Sequence, residues 1–184
     1  HTRPLPYEVD RFEVIIETGE LPAMGYKTIR AAATKQFNRK SLFWQDMRKF
    51  TGEEIAMGTD TMENEYLRVK LEQNGTVSIT NKETGRVYKN LNYFEETGDA
   101  GDYWIYYPPY KNKTYTSKGE NAEIWQEENG ALSATAAARI VMSVPKYSTK
   151  AERSSEMSDV TITVYYTLKK YAKALEVKTV INNT

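Results

Sequence analysis

Leu67-Arg-Val-Lys-Leu-Glu-Gln-Asn-Gly-Thr-Val-Ser-Ile79 reads as two strands joined by a tight turn. Leu67, Val69 and Leu71 alternate with Arg68 and Lys70, and a side-chain period of two puts the three apolar groups on one face. Asn74-Gly75 makes a tight turn, and Val77 and Ile79 return along the next strand. The same texture continues outward. Asn81 to Gly85 is a second turn before a strand at Arg86 to Tyr88. Further alternation follows in Ile140, Met142 and Val144, in Val160, Ile162 and Val164, and in Leu175, Val177 and Thr179. Many short alternating segments predict a mainly β chain, and antiparallel sheets of this extent must cover a face, which predicts a sandwich.

Two segments resist that pattern. Glu120 to Glu128 and Ala131 to Ala138 have fair helix propensity, but the alanines run without a break into β-branched residues and end at Pro145, so strand is expected there. Residues 147–159, rich in Ser, Lys and Glu, read as a long exposed loop between two strands. Upstream, Phe12, Val14 and Ile16 alternate with Glu13, the Leu21-Pro-Ala-Met-Gly25 breaker follows, and a second strand is expected around Tyr26 to Arg30. Leu42, Phe43, Asp46, Met47 and Phe50 suggest a short helical face. Residues 31–60, with their mixed signals, read as a connector.

Composition narrows the chemistry. With 184 residues and 40% apolar content the chain can bury a full core. Its 25 basic and 25 acidic residues cancel, which argues against nucleic acid or an anionic lipid surface as partner. No apolar run reaches the length of a membrane span. The absence of cysteine excludes thiol nucleophiles, disulfides and Cys-zinc sites and fits a cytoplasmic home. The single histidine, His1, stands at the first position, so a Ser-His-Asp triad or a His-rich zinc site cannot be assembled within these residues. The chain begins without methionine and stops on a strand-like segment, as expected of a piece of a longer protein.

The stretch Asn92 to Pro109, Asn-Tyr-Phe-Glu-Glu-Thr-Gly-Asp-Ala-Gly-Asp-Tyr-Trp-Ile-Tyr-Tyr-Pro-Pro, holds the residues best suited to a ligand. Gly98 and Gly101 allow close backbone approach, so Asp99 and Asp102 can sit in a turn beside Tyr103 and Trp104. Carboxylates accept hydrogen bonds from sugar hydroxyls, and an aromatic face stacks on a pyranose C–H face; a phosphate would call for cations or bare N–H groups. The alternative is an Asx-type turn leading into an aromatic core strand. On such a strand Tyr103 and Ile105 would face one way and Trp104 and Tyr106 the other, burying half of them. Asp99 itself reads either as a ligand contact or as a turn cap. Trp44 and Trp125 read as packing, and Glu127 and Glu128, which point apart, as a solvated face.

Several strings in order resemble one family. Leu21-Pro-Ala-Met-Gly-Tyr-Lys-Thr-Ile29, Glu63-Asn-Glu-Tyr-Leu-Arg-Val69, Gly75-Thr-Val-Ser-Ile79 with Asn81-Lys-Glu-Thr-Gly85, Gly98-Asp-Ala-Gly-Asp102 and Tyr107-Pro-Pro109 are similar to the carboxy-terminal half of glycoside hydrolase family 38, the α-mannosidases. The resemblance implies the end of a small β-domain over 1–35, a connector over 36–60 and, over 61–184, the amino-terminal part of a large sandwich like that of galactose mutarotases, here truncated, together with a parent enzyme whose α/β barrel carries zinc and the aspartate nucleophile. Neither can be carried onto positions of this chain, so the catalytic and metal residues here number none, the fragment alone is expected to be inactive, and zinc belongs to the missing domain. The implied partners are an α-mannoside and that barrel. The resemblance further implies that an aromatic residue of the sandwich reaches the sugar, which makes Tyr103 the first substrate-binding candidate, then Asp102 and Asp99. The Gly-Asp-Ala-Gly-Asp variant followed by Tyr-Tyr-Pro-Pro looks more like bacterial members, some of which cleave mannosylglycerate. Rival readings are an independent carbohydrate-binding module, an epimerase of the mutarotase kind and a plain scaffold; the epimerase ordinarily needs an internal histidine.

Overall fold

The structure, a computed structural model, describes residues 14, 16–30 and 54–182. The chain divides into two compact units, His1–Lys49 and Phe50–Thr184. In the first, the expected breaker is a turn: the Gly25 N–H donates to the Pro22 carbonyl at 3.0 Å, and Met24 takes a φ of 56°. Residues 26–30 do not form the expected second strand, since this stretch has no ladder partner among the described residues. The helical face expected over 42–50, and Trp44, lie outside them.

The second unit is the predicted antiparallel sandwich. One sheet runs in the order β1 (Thr61–Glu63), β2 (Leu67–Leu71), β3 (Val77–Asn81), β4 (Val87–Leu91). A two-stranded ribbon pairs β5 (Glu95–Glu96) with β6 (Tyr115–Thr116). The other large sheet contains β7 (Glu123–Glu128), β8 (Ser133–Pro145), β9 (Met157–Lys169) and β10 (Glu176–Asn182), in the order β10-β9-β8-β7. The hairpin at Asn74-Gly75 forms as its residues dictate: Gly75 has φ +79° and donates to the Glu72 carbonyl at 2.8 Å. Strand β7 shows that the 120–128 segment is not helical, and β9 begins two residues before the end of the loop expected over 147–159.

The core lies between the two large sheets. Leu67, Val69, Leu71 and Val77 meet Ala134, Ala136, Ala138, Ile140, Met142 and Val144 of β8 and Ile162, Val164, Tyr166 and Leu168 of β9. Each fully buried aliphatic chain of this kind contributes about 1.5–3 kcal/mol. Register explains the alanines: Ala134, Ala136 and Ala138 stand directly across from Leu168, Tyr166 and Val164. Small groups thus face large ones along one pair of strands, and burial overrides the helix preference of alanine.

Two polar residues tie the sheets together. Asn64, buried between β1 and β2, donates from Nδ2 to the carbonyls of Lys169 and Ala172, both at 2.8 Å. Its Oδ1 accepts from the Tyr66 and Leu67 N–H groups, so the whole amide is satisfied. At the other tie, the Tyr166 hydroxyl donates to the Gly75 carbonyl at 2.8 Å and accepts from Asn92 Nδ2 at 2.9 Å. Strands β4 and β10 are exposed along their whole length.

Candidate functional site

The segment that follows Asn92 is closed at its neck before it projects. Asn92 adopts φ 62° and is held by Tyr166. Phe94 and Ser117 exchange hydrogen bonds at 2.9 Å, the Ser117 N–H to the Phe94 carbonyl and the Phe94 N–H to Ser117 Oγ, alongside the β5–β6 ribbon. One step outward, Asn112 Nδ2 donates to Thr97 Oγ1 at 2.7 Å while its Oδ1 accepts from the Gly98 N–H. A Cβ on Gly98 would strike Arg153 Cδ, so glycine is required there by close approach.

Beyond this neck, residues 99–107 form a small hairpin tip built on the two aspartates. Asp99 Oδ1 accepts from the N–H groups of Gly101 at 2.8 Å and Tyr107 at 3.0 Å. Asp102 Oδ1 accepts from those of Trp104 and Ile105, both at 2.9 Å. The Ala100 N–H donates across to the Tyr107 carbonyl at 2.8 Å. A Cβ on Gly101 would overlap the Ile105 carbonyl oxygen, so the tip closes only over glycine. The Tyr107 N–H, and then that of Gly101, hold the Asp99 carboxyl below the usual carboxylate range. Both aspartates therefore act as Asx-turn caps, and each keeps Oδ2 without a hydrogen bond among the described residues.

The aromatic residues do not form the strand that alternation predicts. Tyr103, Trp104 and Tyr110 are 102%, 91% and 91% exposed, and Ile105, Tyr106 and Tyr107 are each more than half exposed. The expected burial of half of them is therefore corrected: the Asx turns bend the chain every few residues and prevent a pleat. Tyr103, Asp102 and Asp99 come together on one exposed tip. Trp125, by contrast, lies on β7, where its indole N–H donates to Glu127 at 2.8 Å.

The tip is braced from beneath by the loop expected over 147–159. The Tyr110 and Lys111 N–H groups donate to the carbonyls of Lys150 and Ala151 at 3.0 and 2.8 Å. Arg153 Nη2 reaches both carboxylate oxygens of Glu96 at 2.7 Å, and Nη1 donates to the Lys113 carbonyl at 3.2 Å. No local signal marks this pair, because its members stand 57 residues apart. The set at the tip, carboxylate acceptors beside aromatic faces, is equipped to hold hydroxyls and stack on C–H faces. Among the described residues no three His, Cys, Asp or Glu side chains converge as metal ligands, so these residues do not fit a zinc site. Among them, too, no helix is long and apolar enough to cross a membrane.

Comparison with known proteins accords with this architecture. Residues 62–184 match the family described as glycosyl hydrolases family 38 C-terminal domain. A Halalkalibacterium halodurans protein bearing the provisional name mannosylglycerate hydrolase is 33% identical over 141 residues, 68% of this chain and 16% of that protein. The crystal structure of an alpha-mannosidase from Enterococcus faecalis V583 superposes with a TM-score of 0.69 at 30% identity, covering 73% of this chain and 17% of that one. A family 38 glycosyl hydrolase structure from Enterococcus faecalis gives the same score and identity over 74% and 18%. The chain thus spans about a sixth of the length of the relatives it matches. These matches show that the chain belongs to glycosyl hydrolase family 38, whose C-terminal domain occupies residues 62–184.

Proposed function

We propose that this chain is the non-catalytic β-sandwich part of an α-mannosidase-type glycoside hydrolase, and that its 98–110 segment supplies one wall of the sugar pocket. The observation that carries the reading is the exposed tip itself, with Tyr103 fully exposed next to Asp102 and with both carboxylates, Asp99 and Asp102, fixed by backbone N–H groups. In this reading Tyr103 contacts the sugar, and Asp102 and Asp99 accept from its hydroxyls through their unbonded oxygens. Hydrolysis would proceed with retention, through a nucleophilic carboxylate and a proton-donating acid supplied by a catalytic domain outside these residues. Zinc, when bound in that domain, would hold sugar hydroxyls; this chain contributes no ligand to it. The relation to the Halalkalibacterium halodurans protein supports a bacterial enzyme acting on mannosylglycerate or a similar small α-mannoside.

The test is Tyr103→Ala in the full-length enzyme, assayed with an aryl α-mannoside. A loss of about 1–3 kcal/mol in kcat/KM, the size of a lost buried polar contact, is expected. An unchanged kcat/KM removes Tyr103 from the pocket. A second reading, an independent carbohydrate-binding module, is favoured by the exposure of Trp104 and Tyr110, which offer a stacking surface. It predicts that the isolated chain binds mannosides tightly in calorimetry, whereas a pocket wall alone binds them weakly and does not turn them over.

A further inference from the structure

We propose that Arg153 is a positioning residue for the sugar-contacting tip, acting through Glu96 and the backbone of the 98–112 segment; this rests on the reading of Tyr103 as a sugar contact. The guanidinium is an unusual thing to find in this place. It lies in a loop rich in Ser, Lys and Glu, yet its side chain is 6% exposed, while Glu96 is 33% exposed. Taking such a charge out of water is costly unless it is paired, and Arg153 Nη2 is paired with both Glu96 oxygens at 2.7 Å. Its Nη1 holds the Lys113 carbonyl, its guanidinium carbon sits 5.7 Å from the centre of the Tyr115 ring, and its Cδ packs where a side chain on Gly98 would be. Three sides of the segment's base thus converge on one group: Glu96 on the way out, Lys113 and Tyr115 on the way back, and Gly98 where the tip begins.

This arrangement suits positioning. The base is anchored twice more by the Tyr110 and Lys111 bonds to Lys150 and Ala151, three and two residues before Arg153. The tip that carries Tyr103 is hydrogen-bonded within itself by Asp99 and Asp102, so it moves as a unit with its base. A buried planar group contacting the base on three sides fixes the angle at which that unit stands. A lysine could replace the charge beside Glu96, but a single ammonium cannot also reach Lys113 in the guanidinium's fork or lie over Tyr115.

The experiment is a double-mutant cycle in the full-length enzyme, with kcat and KM for an aryl α-mannoside measured for Arg153→Lys, Tyr103→Ala and the double variant, and thermal midpoints recorded for each. Arg153→Lys is expected to lower kcat/KM about ten-fold in the parent, since small displacements of a contact group are costly, and less than about two-fold when Tyr103 is already Ala. Glu96→Gln, which keeps the shape and removes the charge, is the second variant and follows the same pattern. Equal losses in both backgrounds, or no loss on Arg153→Lys, overturn the positioning role while the sugar contact stands. A silent Tyr103→Ala overturns the contact, and the positioning role falls with it.

Discussion

Replacing Tyr166 by Phe isolates one hydroxyl at the junction of the two sheets. Tyr166 is fully buried, and its oxygen both donates to the Gly75 carbonyl at 2.8 Å and accepts from Asn92 Nδ2 at 2.9 Å. The phenyl ring of the variant keeps the packing against Ala136, so no cavity contributes. The Gly75 carbonyl is left buried and unpaired, which costs about 1–3 kcal/mol, and the half-buried Asn92 amide, which water can reach, adds roughly 0.5 kcal/mol. A loss of about 1.5–3.5 kcal/mol is therefore expected in urea unfolding of the chain at neutral pH, followed by aromatic fluorescence, with an unchanged m-value. Burial pushes the Tyr166 phenol above its ordinary value of 10.0, with the Asn92 bond opposing. The folded state thus favours the neutral phenol, so its contribution is intact below the unfolded value and is lost as pH rises from there through the folded one. The gap between parent and variant should narrow above about pH 10. A midpoint shift worth less than about 0.5 kcal/mol at neutral pH would refute the view that this hydroxyl joins the sheets.

The tip yields two further tests. Gly101→Ala forces the new Cβ against the Ile105 carbonyl, and it should lower kcat/KM of the full-length enzyme by about ten-fold or more while leaving the urea midpoint of the sandwich nearly unchanged; full activity would show that the tip's shape does not matter. Asp99, whose carboxyl is held below 3.8 by the Tyr107 and Gly101 N–H groups, should keep the tip ordered above its unfolded value and release it as pH falls through the lower folded one. The Gly101 and Tyr107 amide resonances follow this directly, and a midpoint at or above 3.8 would contradict it.

Legibility in the sequence followed the range of the interactions. The hairpin from Leu67 to Ile79 was readable because its period of two and its Asn-Gly turn act over a few residues. The strand at 133–145 needed more, since alanine favours helix; the β-branched continuation pointed the right way, and the reason lies across the sheet in Val164, Tyr166 and Leu168. The outward-turned aromatics were misjudged because two aspartates at a spacing of three fold the backbone back on itself before a strand can form. Glycines 98 and 101 were visible as special, and the contacts that demand them, Arg153 and the Ile105 carbonyl, were not. Asn64, Tyr166 and Arg153 share a cause of invisibility: each is a polar residue whose partners lie far along the chain.

Among the described residues, the hydrogen bonds that shape the stretch from Thr97 to Lys113 come from within it or from the neighbouring 147–156 loop of the same sandwich. Such a stretch is portable. On the reading proposed above, grafting this sandwich onto the catalytic part of a related enzyme transplants the tip together with its supports, and the expected outcome is a chimaera whose sugar contacts move with it.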